Sequence, residues 1–205
     1  MRLAASVALV LAALATPARA DGFFYGQSYG VSSARSDARP MMGESLQLRI
    51  QMGWRWGNWS VGPWFAGHLA APREGAKFGV VGGEPAADDS DFESIGADVR
   101  YNAPIREHLS AYVRGGPRIA QGIGALDGYR GAGLGVGTGV QLTGEVRALG
   151  FLFAPLFFAK KGPRIHASLY LDQNVDWYRL SADQMPSLSM PLVGTSIGIG
   201  AGSYF

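Results

Sequence analysis

The sequence predicts an all-β protein, an antiparallel up-and-down barrel that crosses a membrane with its strands. Residues 46–56 alternate apolar and polar side chains, which places Leu46 on one face of a strand and Arg49 on the other. Further alternating runs follow, and no run in the mature chain has the length and hydrophobicity of a membrane-spanning helix. Strands that cross a membrane must close into a barrel, because lipid offers an open edge no hydrogen-bond partners.

The first 20 residues are predicted to be a cleaved signal peptide for the Sec pathway. Arg2 is a basic start, residues 3–15 are apolar, and Ala18-Arg19-Ala20 has the form of a cleavage site. The mature domain is then 21–205. Removing two of the 18 Lys and Arg residues leaves 16, equal to the 16 Asp and Glu, so the mature charge does not suggest nucleic-acid binding. With no cysteine in the chain, backbone pairing and packing must hold the fold.

Nine strand candidates are spaced along the mature chain. They are 23–32, 44–56, 59–70, 94–103, 109–118, 131–142, 146–158, 165–171 and 193–205. Both termini lie on one side of the membrane only if the strand number is even. We therefore expect a turn at Asp172-Gln173-Asn174 and a short strand at 175–180, which gives ten strands. Residues 165–178 alternate continuously, so an eight-stranded barrel is the alternative.

The apolar faces are predicted to face lipid. Trp54, Trp56 and Trp59 cluster around the two-residue turn Gly57-Asn58, and Tyr101 lies beside another short turn. Aromatic belts of this kind mark the membrane–water interfaces of membrane barrels. The polar faces would then line the interior.

Connection lengths predict the orientation. Gly57-Asn58, 104–108 and Thr143-Gly144 are short, whereas four segments are long and rich in Gly, Pro and charge: 33–43, 71–93, 119–130 and 181–191. Short periplasmic turns and long outer loops are typical of outer-membrane barrels. We therefore expect Gly57-Asn58 in the periplasm.

The polar faces also predict a charged interior. The lumen residues are Arg49, Arg55, Asp98, Arg100, Arg114 and Arg118. These arginines outnumber the inward acids, chiefly Asp98 and Asp172. Because buried charges must be paired or hydrated, the arginines either line a narrow anion-favouring pore or form contacts that fill it. Small barrels are largely filled by side chains, so a general porin is not expected.

The C-terminal residues carry a family resemblance. Gly200, Tyr204 and Phe205 fit the last strand of the small outer-membrane β-barrel proteins of Gram-negative bacteria, the class of OmpA and OmpX, although Ser203 departs from the pattern. The mature chain resembles this class along essentially its whole length. The resemblance implies an assembly signal at Gly200, Tyr204 and Phe205 that the barrel-assembly machinery recognises. It also implies an outer-membrane location among lipid and lipopolysaccharide.

A second resemblance suggests catalysis. His166-Ala167-Ser168 puts a histidine and a serine on one strand face, with Asp172 further along. This is similar to the His-x-Ser of the lipid A deacylases, which implies an esterase with His166 and Ser168 in its triad. A triad also needs an orienting carboxylate, yet no Glu follows Ser168. Polar lumen residues explain the motif without catalysis, and this is the preferred interpretation.

An acidic run is a weak metal candidate. Asp88, Asp89, Asp91 and Glu93 offer the carboxylate oxygens that Ca²⁺ prefers, but the run lacks the turn glycine of an EF-hand. A solvated loop is the preferred interpretation, and no cofactor is expected.

The function expected from the sequence is non-enzymatic. An outer-membrane barrel with a structural or anchoring role, or one that binds an envelope protein through its long loops, fits these observations. The alternatives are a narrow anion-permeable pore and a lipid A-modifying hydrolase.

Overall fold

The protein is a closed barrel of eight antiparallel strands. The structure, a computed structural model, describes residues 22–35, 42–72, 91–145, 164–183 and 187–204. The strands are β1 Gly22–Ala34, β2 Met42–Trp56, β3 Trp59–Pro72, β4 Phe92–Arg106, β5 Leu109–Gly122, β6 Arg130–Glu145, β7 Arg164–Ser181 and β8 Leu188–Tyr204. Each strand pairs with its sequence neighbours, and β8 pairs with β1. Within the described ranges, no helix is long and apolar enough to cross a membrane.

The eight-stranded alternative is confirmed, and the prediction of ten strands is wrong. β7 is continuous, so the turn predicted at Asp172-Gln173-Asn174 does not form, and 175–180 is part of the same strand. The three residues pair with 194–196 of β8 in unbroken register. Asp172 and Asn174 are buried inside the barrel, whereas Gln173 points outward. Three adjacent polar residues suggested a turn, but a charged interior accommodates two of them within a strand.

The prediction for the end of β6 is also corrected. Thr143 and Gly144 lie within β6 and pair with Ser168 and Ala167, so they do not form the predicted short turn. β6 and β7 are direct neighbours in the barrel, with Glu145 opposite His166. The barrel therefore closes without a strand between them. The candidate strand 146–158 falls outside the described residues.

The two ends of the barrel differ. β1 begins and β8 ends at the same end as the turns Gly57–Asn58 and Glu107–His108, and we call this the turn end. The connections β1–β2, β3–β4, β5–β6 and β7–β8 lie at the opposite, loop end. Strands extend into the predicted loops, since β5 reaches Gly122 and β8 begins at Leu188. At the turn end β6 ends at Glu145 and β7 begins at Arg164, so more residues separate these two strands than separate β2 from β3.

The outer surface is apolar and the interior is polar. Leu46, Leu134 and Val113 point outward and are 64%, 64% and 58% exposed, whereas inward Asp98 and Arg118 are 7% and 1% exposed. Such a distribution is the reverse of that in a water-soluble barrel and matches a barrel with lipid around it.

Aromatic side chains form the outer surface near the turn end. Trp54, Trp56 and Trp59 are each at least 40% exposed on both sides of the turn Gly57–Asn58. The Tyr101 ring lies 4.8 Å from that of Trp59, centroid to centroid, across the β3–β4 pair. The residues predicted as an aromatic belt thus lie on adjacent strands at one end of the apolar band.

Candidate functional site

The inward side chains form three layers along the barrel. An apolar layer lies towards the loop end, a charged layer lies in the middle of the strands, and a small cavity lies towards the turn end. We take this interior as the candidate functional site. Burying a charge without a partner costs free energy. The pairing of the buried charges therefore indicates whether the interior is packed or is open to water and ions.

Asp98 of β4 is the centre of the charged layer. Its Oδ2 accepts hydrogen bonds from Arg49 Nη2 and Arg114 Nη1, each at 2.6 Å. Its Oδ1 accepts one from Arg118 Nη1 at 3.2 Å. One carboxylate therefore binds three guanidinium groups, which reach it from β2 and β5. Charge-assisted bonds of this kind are about twice as strong as neutral ones.

Two further aspartates complete the layer from β7. Arg114 forms an ion pair with Asp172, and Arg118 forms one with Asp176. The Tyr112 hydroxyl donates to Asp172 Oδ1 at 2.9 Å. Because β6 lies between β5 and β7 in the sheet, these bonds pass over β6 on the inner side of the wall and join strands that do not pair with each other.

Glycines on β6 leave the space for these bonds. β6 lies between β5 and β7, and between residues 131 and 139 every second residue is glycine. A Cβ at Gly135 would overlap the Arg118 guanidinium and the Asp176 carboxylate. A Cβ at Gly137 would lie 2.9 Å from Arg114 Nε.

Aromatic rings hold the guanidinium groups from the side. Arg49 Cζ and Arg118 Cζ lie 4.1 Å and 5.0 Å from the centroid of the Trp64 ring, and Arg100 Cζ lies 3.5 Å from that of Tyr112. Cation–π contacts become stronger when the cation is desolvated, and Arg49, Arg100 and Arg118 are all buried. The rings also fill the volume between the arginines, so the layer is packed as well as paired.

The apolar layer closes the interior towards the loop end. Its buried members include Phe92, Leu126, Tyr178, Leu180, Met190 and Leu192. His68 stacks on Phe92 with ring centroids 4.0 Å apart, and the edge of Tyr178 packs against Phe92 at 6.0 Å. Polar and apolar layers thus lie in series along the barrel.

A cavity of about 30 Å³ lies towards the turn end. Polar side chains around it include Gln51, Arg55, Arg100, Gln141, His166 and Ser168. Arg100 donates from Nε to Asn102 Oδ1 at 2.8 Å and from Nη2 to Gln141 Oε1. Arg100, whose guanidinium lies over the Tyr112 ring, lines this space on the side of the charged layer.

The structure brings most of the proposed lumen residues together. Arg49, Asp98, Arg114 and Arg118 share one ion-paired network. Arg100 is buried beside them, and Arg55 is half-buried at the cavity.

The three weak catalytic candidates are divided between two layers. His166 and Ser168 are half-buried and line the cavity. Asp172 is buried in the charged layer, where Tyr112 and Arg114 bind its carboxylate. Asp172 therefore neutralises an arginine, and the geometry gives it no role in orienting an imidazole.

Two of the four acidic candidates, Asp91 and Glu93, lie at the loop end. Asp91 Oδ1 accepts a hydrogen bond from the Ala70 amide at 2.8 Å, and Glu93 Oε2 accepts one from Gln121 at 3.3 Å. Asp88 and Asp89 fall outside the described residues. In the part of the chain that the structure describes, no group of three or more His, Cys, Asp or Glu could hold a metal ion.

The residues of the proposed assembly signal lie on or after β8. Gly200 pairs with Gly26 of β1 and Ser168 of β7, so it lies where the barrel closes. The backbone of Tyr204 ends β8 opposite Arg164. Phe205 falls outside the described residues, and so does the predicted signal peptide.

Sequence reasoning missed Asp176 as a lumen residue. The turn expected at 172–174 interrupted the alternation that would have placed it on the inward face with Asp172. Once β7 is one strand, the spacing of Asp172, Asn174 and Asp176 puts all three inside. Sequence reasoning also missed the hydrogen bond from Tyr112 to Asp172. This bond depends on how the strands are arranged in space, which the alternation of side chains along one strand does not predict.

Comparisons with known proteins support the fold. No protein-family model matches the chain, and no curated protein sequence matches it. Among solved structures, the chain is similar to Neisserial surface protein A, with a TM-score of 0.50 and 16% identity over 93% of this chain and 100% of that one. It is also similar to the attachment invasion locus protein Ail of Yersinia pestis, with a TM-score of 0.37 and 14% identity over 90% of this chain and 97% of that one. A major outer membrane protein of Thermus thermophilus matches with a TM-score of 0.42 and 15% identity, covering 91% and 100%.

Of these three structures, Neisserial surface protein A alone reaches a TM-score of 0.50. Neisserial surface protein A is matched over its whole length, so the likeness covers a complete barrel. Together with the closed strand order and the outward apolar side chains, it shows the fold class. The chain has the fold of the small outer-membrane β-barrel proteins.

Proposed function

We propose that the protein is an integral outer-membrane barrel with a structural, anchoring or partner-binding role, and that its interior does not conduct ions. The observation that carries the proposal is the buried ion-paired network around Asp98, which links side chains of β2, β4, β5 and β7. A conducting pore needs hydrated, accessible charges, whereas this layer binds Arg49, Arg114 and Arg118 to carboxylates and packs two of them on Trp64.

The apolar layer supports the same conclusion. Phe92, Met190 and Leu192 are at most 1% exposed inside the barrel, where a water-filled channel would expose them. An ion would have to pass two closed layers in series. The narrow anion pore therefore requires a rearrangement of both layers.

The exterior supports a membrane location. Apolar side chains cover the outward faces of all eight strands, and lipid is the solvent that such a surface fits. We place the turn end in the periplasm, because both chain ends of the barrel and the turn Gly57–Asn58 lie there. The loop end would then face outward among lipopolysaccharide, where its connections could bind an envelope partner.

Fractionation tests this proposal. The full chain expressed in a Gram-negative host is expected in the outer-membrane fraction, with a gel mobility that changes on heating as the closed barrel unfolds. Protease added to intact cells should cut at loop-end connections and spare the turn Gly57–Asn58. Recovery as a soluble periplasmic monomer would refute the proposal.

A further inference from the structure

We propose that Arg130 of β6 and Arg179 of β7 bind the phosphate of a lipid in the outer leaflet, against the outside of the barrel at the loop end. The term arginine patch here means Arg130, Arg179, Ser181 and Ser189. The inference rests on the proposed function, since it uses both the membrane location and the outward position of the loop end. It deepens that function by naming the chemistry of one lipid partner.

The strand register brings the side chains of the arginine patch together. Arg130 is opposite Ser181, and Arg179 is opposite Ser189 of β8. Arg130 and Arg179 are therefore diagonal neighbours on adjacent strands, with side chains that start about 7–8 Å apart. All four patch residues are exposed, whereas Leu180, between two of them, is buried inside the barrel. Two guanidinium groups on one outward face can thus reach the same ligand.

The arginine patch lies directly beyond the apolar band. Residues 132–142 of β6 point only Ala, Leu, Val and Thr side chains outward, and Arg130 is the next outward residue. At about 3.3 Å per residue and a strand tilt of about 40°, this run crosses roughly 28 Å, close to the roughly 25 Å height of the apolar band of such barrels. On β7, Trp177 is 47% exposed and Arg179 is the next outward residue. Because tryptophan is enriched at membrane–water interfaces, both arginines lie at the level of the lipid headgroups.

The outward charges of the strands are segregated around the barrel. The outward residues of β6, β7 and β8 that the structure describes include no Asp or Glu, whereas Glu44 and Glu93 point outward from β2 and β4. Asp127 and Asp183 lie in the loop-end connections, beyond the strand ends and farther from the membrane, and Asp127 Oδ1 accepts a hydrogen bond from the Gly128 amide at 2.8 Å. In the described ranges, the ion pairs join inward residues only. The outside of β6 and β7 is therefore cationic at the headgroup level.

The patch and the band beside it suit a phosphate that is attached to acyl chains. Guanidinium groups bind phosphate oxygens through paired charge-assisted hydrogen bonds, and the hydroxyls of Ser181 and Ser189 can donate to the same oxygens. On the membrane side of the patch, Leu134 and Trp177 expose apolar surface on which acyl chains can pack. A free phosphate would contact the patch alone, whereas a phosphorylated glycolipid of the outer leaflet would contact both surfaces.

Titration of the purified mature barrel with lipid A tests the proposal, with native mass spectrometry counting the bound lipids. The comparison lipid is dephosphorylated lipid A with the same acyl chains, in a non-ionic detergent and a buffer without divalent cations. Phosphorylated lipid A should bind saturably at one site per chain, about tenfold or more tightly than the comparison lipid. Arg130→Gln and Arg179→Gln should each weaken its binding about fivefold or more, because each removes charge-assisted hydrogen bonds. Both arginines are exposed, so both variants should fold.

The matched control is Arg106→Gln, which removes an exposed arginine at the turn end and should leave the affinity unchanged. Equal binding of the two lipids, unaltered affinity in both patch variants, or an equal loss in Arg106→Gln would overturn the inference. Displacement of the lipid by inorganic phosphate at about tenfold excess would overturn it too, since free phosphate would then be the ligand. A barrel that shows one of these results and still fractionates with the outer membrane leaves the proposed function standing. Recovery as a soluble periplasmic monomer would instead refute both.

Discussion

Arg118 of β5 and Asp176 of β7 form an ion pair across β6, over the space left by Gly135. The same guanidinium reaches Asp98 of β4 at 3.2 Å. Arg118 therefore joins three strands through the interior of the barrel. This arrangement turns the arginine-rich lumen face into a packed network.

Asp98→Asn should destabilise the barrel strongly. The change leaves Arg49, Arg114 and Arg118 buried with one carboxylate fewer, and breaking a buried pair typically costs about 3–5 kcal/mol. Urea unfolding of the protein in bilayers measures the loss. Glu93→Gln, at the exposed loop end, is the control and should change stability by less than about 1 kcal/mol. Equal effects of the two variants would mean that the network does not stabilise the fold.

Gly135→Ala should destabilise the barrel, whereas Gly144→Ala on the same strand should not. A Cβ at Gly135 overlaps Arg118 and Asp176, while a Cβ at Gly144 has no atom within 4 Å. Overpacking of this kind costs about 1–3 kcal/mol. Equilibrium unfolding of both variants under the same conditions gives the comparison. If Gly135→Ala is as stable as Gly144→Ala, the cross-barrel pair does not pass over Gly135.

Leucine substitutions at two adjacent residues of β7 should change the stability of the barrel in opposite directions. The Gln173 side chain points outward between Leu171 and Val175, so Gln173→Leu should raise stability in a bilayer by about 0.5–2 kcal/mol. Asn174 is buried and donates to Asp176 Oδ2 at 2.5 Å. Asn174→Leu should therefore lower stability by about 1–3 kcal/mol.

Unfolding from lipid vesicles measures both changes. A barrel with water outside would give a different result, because Gln173→Leu would then expose a leucine to water and bring no gain. That outcome would contradict the assignment of the outward face to lipid.

Lipid A should have the same mass whether the host expresses the unaltered protein or Ser168→Ala. Asp172 is bound by Arg114 and Tyr112 within the charged layer, which leaves His166 and Ser168 without this carboxylate as a triad partner. Mass spectrometry of extracted lipid A makes the comparison. Loss of one acyl chain that depends on Ser168 would establish the hydrolase and refute the non-enzymatic role.

Much of the fold follows from periodicity, because side-chain alternation reports directly which face of a strand is inward. It located β2 around Leu46 and Arg49 and indicated the outward tryptophans. The prediction of the strand number was wrong because of one segment, Asp172-Gln173-Asn174. There the local preference for a turn and the alternation along the whole strand disagreed. Tertiary context decided between them, since the interior supplies Arg114 as a partner for Asp172.

The pairing inside the barrel could not be predicted in the same way. Alternation shows that Arg118 and Asp98 are inward but not which groups meet across the lumen, because that depends on strand number and register. With ten strands the interior would be wider, and the same arginines could line water. With eight, the glycines of β6 bring β5 and β7 side chains into contact.

Planar-bilayer recording shows whether the interior of the barrel is closed to ions. The purified mature barrel, inserted at low density, is expected to give no unitary current steps, because the Asp98 network and the apolar layer close the interior in series. Regular ohmic steps with anion selectivity that changes in Arg49→Ala or Arg100→Ala would contradict the account and establish the narrow pore.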